Sequence, residues 1–177
     1  NVRPEFARIS DNVAVTLANY SANFRTNSST KSLFDLRNFI WDNLFRGEHF
    51  ISLESDYAYN PDTDNAFEMD ITGIFFDNEN VEIIGNHHII DGGNHSPIFS
   101  TLQGFNTKIH DIIFQNCRCY EFGYSGGVIT SEDYSNGYCY LIGCTFIDNY
   151  SPNSGGVIAK NGKVEECTFI NNTAEAR

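Results

Sequence analysis

The hexapeptide Cys144-Thr145-Phe146-Ile147-Asp148-Asn149 returns 23 residues later as Cys167-Thr168-Phe169-Ile170-Asn171-Asn172. Repetition at a short period restricts a chain to stacked architectures, because one unit is too small to bury its apolar face except against its copies. Gly126-Gly127-Val128-Ile129 recurs as Gly155-Gly156-Val157-Ile158 after 29 residues, and Asn136-Gly137 as Asn161-Gly162 after 25. A weaker echo pairs Val81-Glu82-Ile83 with Thr107-Lys108-Ile109 after 26. A unit of about 23–30 residues is one solenoid coil of two or three short strands, each stacked about 4.8 Å from its copy in the next coil.

Stacking turns matching positions into ladders. Phe114, Phe146 and Phe169 form an inward aromatic ladder, with Ile112, Cys144 and Cys167 beside it and Ile109, Leu141 and Val164 before it. Thr145 and Thr168 then point outward. Asn149 and Asn172 fall at strand ends, where an asparagine ladder closes the turn. The first copy reads Phe114-Gln115-Asn116-Cys117, with Cys where the others have Asn, which predicts a different turn in that coil.

Three segments follow. Residues 1–31 are irregular, with one alternating stretch at Val13–Leu17. Residues 32–47 are a helix that caps the array: Ser32 is its N-cap, Asp35 follows three residues on, Leu33, Leu36, Ile40 and Leu44 recur at helical spacing, and Gly47 ends it. Covering an open strand edge is what such a cap is for. Residues 48–177 are β repeats, with strands at Ile51–Leu53, Ile71–Phe76, Val81–Ile84, Ile109–Phe114, Tyr140–Ile147 and Val164–Ile170. The repeat breaks off near Arg177, which predicts a longer array whose last coil is exposed or covered end to end by a neighbouring molecule.

Composition narrows function. Lys and Arg number 11 against 23 Asp and Glu, a net charge of −12. Neither nucleic acid nor an anionic membrane suits so acidic a chain, and no apolar run is long enough to insert in a bilayer. The 21 asparagines punctuate turns. They also create five sequons, at Asn19, Asn27, Asn94, Asn149 and Asn171, which are either glycosylation sites of an exported protein or a product of composition. The opening Asn1-Val2-Arg3-Pro4 is not a secretion leader, so export requires one removed from a longer precursor. The five cysteines cannot all pair within the chain. Cys144 and Cys167 lie in apolar surroundings that predict buried thiols.

The Gly-Gly-Val-Ile motifs together with Phe-Ile-Asp-Asn and Phe-Ile-Asn-Asn resemble the GGxI and FxxN repeats of polymorphic outer-membrane proteins. The order of segments is still more similar to the adhesin-like surface proteins of methanogenic archaea, in which a helix like Ser32–Phe45 precedes a segment like Val81–Gly92. The resemblance covers about residues 32–176. It implies an all-β fold, a right-handed parallel β-helix of the pectate-lyase-like kind with an N-terminal capping helix. It also implies an extracellular, cell-surface, non-catalytic adhesin that attaches to a surface glycan or protein of another cell.

Two alternatives stand beside it: a stalk that holds a distal domain away from the envelope, and a polysaccharide lyase or hydrolase. The second needs a carboxylate pair such as Asp111 and Glu166 brought together by stacking. Tyrosines are the candidate glycan-stacking groups, first Tyr120, Tyr124 and Tyr150 near the Gly-Gly turns, then Tyr57, Tyr59, Tyr134, Tyr138 and Tyr140. His87-His88, read as a strand, points to opposite faces and cannot chelate one ion. Asp62-Thr63-Asp64 resembles the start of a calcium loop but lacks its later ligands, and reads as a solvated loop. No cofactor is expected beyond calcium held by outer acidic ladders.

Overall fold

The computed structural model describes residues 30–64, 73–75, 80–100, 106–119, 124–132, 138–158 and 162–175, with the backbone alone at 75, 124, 125, 131 and 132. The chain divides into two units, Asn1–Thr30 and Lys31–Arg177. The described residues after Thr30 all lie in the second; Val13–Leu17, Asn19, Asn27, Tyr120 and Tyr134 lie outside them.

The described residues of the second unit are mostly β, with one helix. Its strands are β1 (Lys31–Ser32), β2 (Phe50–Ser52), β3 (Tyr57–Ala58), β4 (Ile74–Phe75), β5 (Val81–Ile84), β6 (Ile89–Asp91), β7 (Phe99–Ser100), β8 (Asn106–His110) and β9 (Ile113–Gln115). They continue as β10 (Tyr124–Ser125), β11 (Ile129–Glu132), β12 (Tyr138–Ile142), β13 (Thr145–Ile147), β14 (Tyr150–Ser151), β15 (Gly162–Glu165), β16 (Thr168–Ile170) and β17 (Thr173–Ala174). Helix α1 spans Leu33–Phe45.

One sheet runs β2-β5-β8-β12-β15, a second β1-β3-β6-β9-β13-β16, and a third β4-β7-β11-β10. All pairs are parallel except β10 with β11. From β2 to β9 the chain visits the first, second and third sheet in turn and starts again. Steps between partners run from 23 to 33 residues.

The repeats read from sequence are the pairing register. Thr145-Phe146-Ile147 faces Thr168-Phe169-Ile170, Val81 faces Thr107, and Ile129 faces Ile158. Gly162 faces Cys139; the rest of the Asn-Gly copies, Asn136, Gly137 and Asn161, lie outside the described residues. Three strands expected to be continuous are each two. A corner residue with positive φ separates them: Asp111 (50°) between β8 and β9, Gly143 (63°) between β12 and β13, and Glu166 (54°) between β15 and β16. A residue in the left-handed region turns the chain out of the strand. The next residue, Ile112, Cys144 or Cys167, leads directly into the strand of the neighbouring sheet.

The core is a set of ladders. Ile51, Ile83, Ile109 and Leu141 are buried in line, and the line ends at Val164, 43% exposed. Phe114 stacks on Phe146 with centroids 5.3 Å apart, and Phe146 on Phe169 at 5.0 Å. Phe169 is half exposed, and Cys167 only half-buried, because no described strand covers that side of β15 and β16. At the other end Leu33, Leu36 and Ile40 of α1 join the same core. Ser32 and Asp35 form a reciprocal capping box. Ser32 also belongs to β1, which pairs with β3, so the strand spans the sequence boundary after residue 31.

Candidate functional site

The first sheet carries two outward rows fixed by register. Phe50, Glu82, Lys108, Tyr140 and Lys163 make one; Ser52, Ile84, His110, Ile142 and Glu165 make the other. The local sequences dictate this. In Tyr138-Cys139-Tyr140-Leu141-Ile142, Cys139 and Leu141 are buried, so Tyr138 and Tyr140, which alternate with them, face out. In Asn106-Thr107-Lys108-Ile109-His110, Thr107 and Ile109 are buried and Lys108 is exposed.

The outward charges hold one another. Glu82 contacts Lys108 Nζ at 3.6 Å and His110 Nε2 at 3.0 Å. Lys163 donates to the Tyr140 hydroxyl at 3.1 Å and pairs with Glu165, to which Tyr140 also donates. The Lys163 ammonium lies 5.0 Å from the Tyr140 ring centroid. Its pKa is raised, first by the hydrogen bond to Glu165 and then by that to Tyr140, while the Lys163 and Tyr140 bonds hold Glu165 below the usual carboxylate range. These groups are exposed, so their effect is on side-chain placement more than stability. They fix the Tyr140 ring on the surface.

Phe50, 63% exposed, borders a groove of about 340 Å³ lined also by His49, Asn80, Glu82, Asn106 and Lys108. An aromatic ring beside amides, a carboxylate and an ammonium is the chemistry that holds a sugar: the ring covers an apolar C–H face, and the polar groups bond the hydroxyls. Tyr138, 40% exposed, extends the aromatic surface.

No family model, curated protein or solved structure matches this chain.

Of the candidate tyrosines read from sequence, Tyr138 and Tyr140 lie on this face, Tyr120 and Tyr134 lie outside the described residues, and the others fall elsewhere. Tyr150 is half-buried beyond the second sheet, with the Arg118 guanidinium 4.3 Å from its ring centroid. Tyr124 is placed by its backbone alone, on the antiparallel β10. Tyr57 is fully buried and so is no glycan platform; burial pushes its hydroxyl up to about 12. Tyr59 stacks on His95 at 4.9 Å. Phe50, Lys108 and Lys163 were missed, although alternation within β8, β12 and β15 marks the two lysines as outward.

Asn149 is corrected as a glycosylation candidate. It is 1% exposed, and its amide donates to Asn172 Oδ1 at 2.8 Å and to the Phe114 carbonyl at 3.3 Å. It stands in the ladder with Asn172, whose amide donates to the Phe146 carbonyl at 2.9 Å. Asn94 and Asn171 are exposed, in left-handed turns. Cys117 takes the ladder position in the departing copy, and its N–H donates to Asn149 Oδ1 at 2.9 Å. Here a Cβ on Gly92 would lie 2.7 Å from Cys117 Cα, so the backbones touch where the other copies place an amide.

Asp111 and Glu166 sit at equivalent corners of alternate coils, with Gly143 between them. His87 and His88 are in a turn and not a strand; His87 has φ of 63° and is exposed, and His88 Nδ1 lies 3.0 Å from Asp56. Asp64 is not solvated. It is fully buried and accepts from the N–H groups of Phe34 at 2.9 Å, Leu33 at 3.3 Å and Asn60 at 2.6 Å. It thereby caps α1 from outside the helix. Among the described residues no group of three metal-ligating side chains converges.

Proposed function

We propose that this chain is a segment of an extracellular, cell-surface adhesin, a right-handed parallel β-helix that attaches without catalysis to a glycan on another cell. The return of the chain to the same parallel sheets supports the β-helix, and parallel crossovers are right-handed almost without exception. The observation that carries the binding role is the outward row Phe50-Glu82-Lys108-Tyr140-Lys163, where an exposed Phe50 and a half-buried Tyr140 stand beside mutually fixed polar groups on one sheet face. A repetitive face suits a repetitive ligand, since weak contacts at several coils add through avidity.

The test is binding of the labelled 177-residue protein to intact microbial and protozoal cells and to an array of neutral and acidic glycans. Saturable binding, competed by unlabelled protein, is expected. Phe50→Ala and Tyr140→Ala should each weaken it about tenfold, the worth of one aromatic stacking contact. Absence of saturable binding overturns the adhesive role and leaves the stalk. Released oligosaccharide would revive the enzyme.

A further inference from the structure

Cys144 and Cys167 occupy the same place in successive coils, each just before a Thr-Phe-Ile strand. Thr145 faces Thr168 in register, and the Thr168 N–H donates to the Cys144 carbonyl at 2.9 Å, so the ladder reaches back to the cysteines. In-register neighbours on parallel strands stand about 4.8 Å apart, inside the range of about 4.4–6.8 Å that a disulfide spans between Cα atoms. The Cys144 thiol lies 3.5 Å from the Ile142 carbonyl and 3.6 Å from that of Ile109, and the Cys167 thiol lies 3.3 Å from the Glu165 carbonyl. Cys144 is fully buried and Cys167 is half-buried on the uncovered side of the array.

The two sulfurs differ chemically. The neighbouring Cys144 thiol lowers Cys167 to about 7, while Cys167, with burial, drives Cys144 upward. Burial raises Cys139 to about 12 and raises Cys117 as well. One accessible, readily ionised sulfur thus sits against one buried partner, the layout of an attacking and a resolving thiol.

We propose that Cys144 and Cys167 form a redox-active dithiol that closes to a disulfide in an oxidising medium and staples the coil of β16 to that of β13. With a small disulfide such as oxidised glutathione as oxidant, the Cys167 thiolate attacks one sulfur and displaces a glutathione thiolate, giving a mixed disulfide. Cys144 loses its proton to solvent and attacks the Cys167 sulfur, and the second glutathione thiolate leaves. Two protein thiols are oxidised and one glutathione disulfide is reduced to two thiols. The second step is the slower, because the buried Cys144 ionises with difficulty.

The test is mass spectrometry of the intact protein after exposure to oxidised glutathione near neutral pH, with thiols counted before and after. The expected result is loss of two of the five thiols, a digest peptide pair joined through Cys144 and Cys167, and recovery of all five with dithiothreitol. Cys144→Ser should accumulate a stable glutathione adduct on Cys167. Cys167→Ser should keep its four thiols unreacted, with circular dichroism reporting that each variant is folded. Five thiols persisting in the wild-type protein, a bond between other cysteines, or a wild-type Cys167 adduct that never resolves would overturn the proposal.

Discussion

Asp64 is fully buried although it belongs to an acidic run that reads as solvated. The first N–H groups of α1 have no partner within the helix, and a carboxylate at that end also meets the positive pole of its dipole. The three backbone donors it satisfies come from two segments, Leu33-Phe34 and Asn60, far apart in the chain, a fact invisible in the local run Asp62-Thr63-Asp64. Asp64→Ala should therefore lower stability by about 2–3 kcal/mol. Asp62→Ala, at an exposed position, should change it by less than about 0.5 kcal/mol. Urea unfolding measures both, and removing calcium with a chelator should leave each midpoint unmoved. Cys167 makes a second prediction at this scale. Alkylation requires the thiolate, so its rate should rise with a midpoint near pH 7, while Cys139 stays unreactive there. Cys167 is depressed in the folded state below the ordinary value of 9.0, so the unfolded chain binds more protons between the two values. Its contribution to stability is accordingly full above about pH 9 and lost as pH falls through about 7. A rate profile with its midpoint at the ordinary thiol value would remove that assignment.

Elements were legible where stacking demands the same residue at the same place. The Phe and Asn ladders and the Gly-Gly copies could be read for that reason: a changed side chain there meets its own copy. The capping helix was legible on other grounds, its capping box and the helical spacing of its apolar residues. The corners could not. Asp111, Gly143 and Glu166 share a left-handed backbone but no side-chain chemistry, so the apolar residue after each looked like a continuation of the strand. The outward row was hidden for a related reason. Glu82, Lys108, Tyr140 and Lys163 face solvent and need not match, and the step from β8 to β12 contains residues that displace the period. The asparagine ladder can be weighed directly. Asn149→Ala leaves the buried Cys117 N–H without its acceptor and removes one donor from the Phe114 carbonyl, which should cost about 1–3 kcal/mol. Asn172→Ala, nearer the uncovered side, should cost less, because water can replace part of what it loses. Equal losses in chemical denaturation would mean that the ladder is not graded by burial.

Stability in a stacked array is a sum of coil and neighbour contributions, so the two sides of this unit should not be equally firm. On the side of α1, Leu33, Leu36 and Ile40 complete the core, and Ile51, Ile83, Ile109 and Leu141 are buried in line. At β15 and β16 the same lines end in Val164 and Phe169, each nearly half exposed. Amide hydrogen exchange should show protection highest in β5, β8, β6 and β9 and lowest in β15, β16 and β17. The gradient bears on both functional proposals. The groove beside Phe50 would then be built on the firm side, where a rigid face loses little entropy on binding a sugar. The Cys144–Cys167 pair lies on the yielding side, where local opening admits an oxidant and a covalent staple has most to restrain. Oxidation should raise protection in β16 and leave β5 and β8 unchanged. If exchange were uniform across the sheets in the reduced protein, the unit would behave as one cooperative block, and the staple would have no local effect to exert.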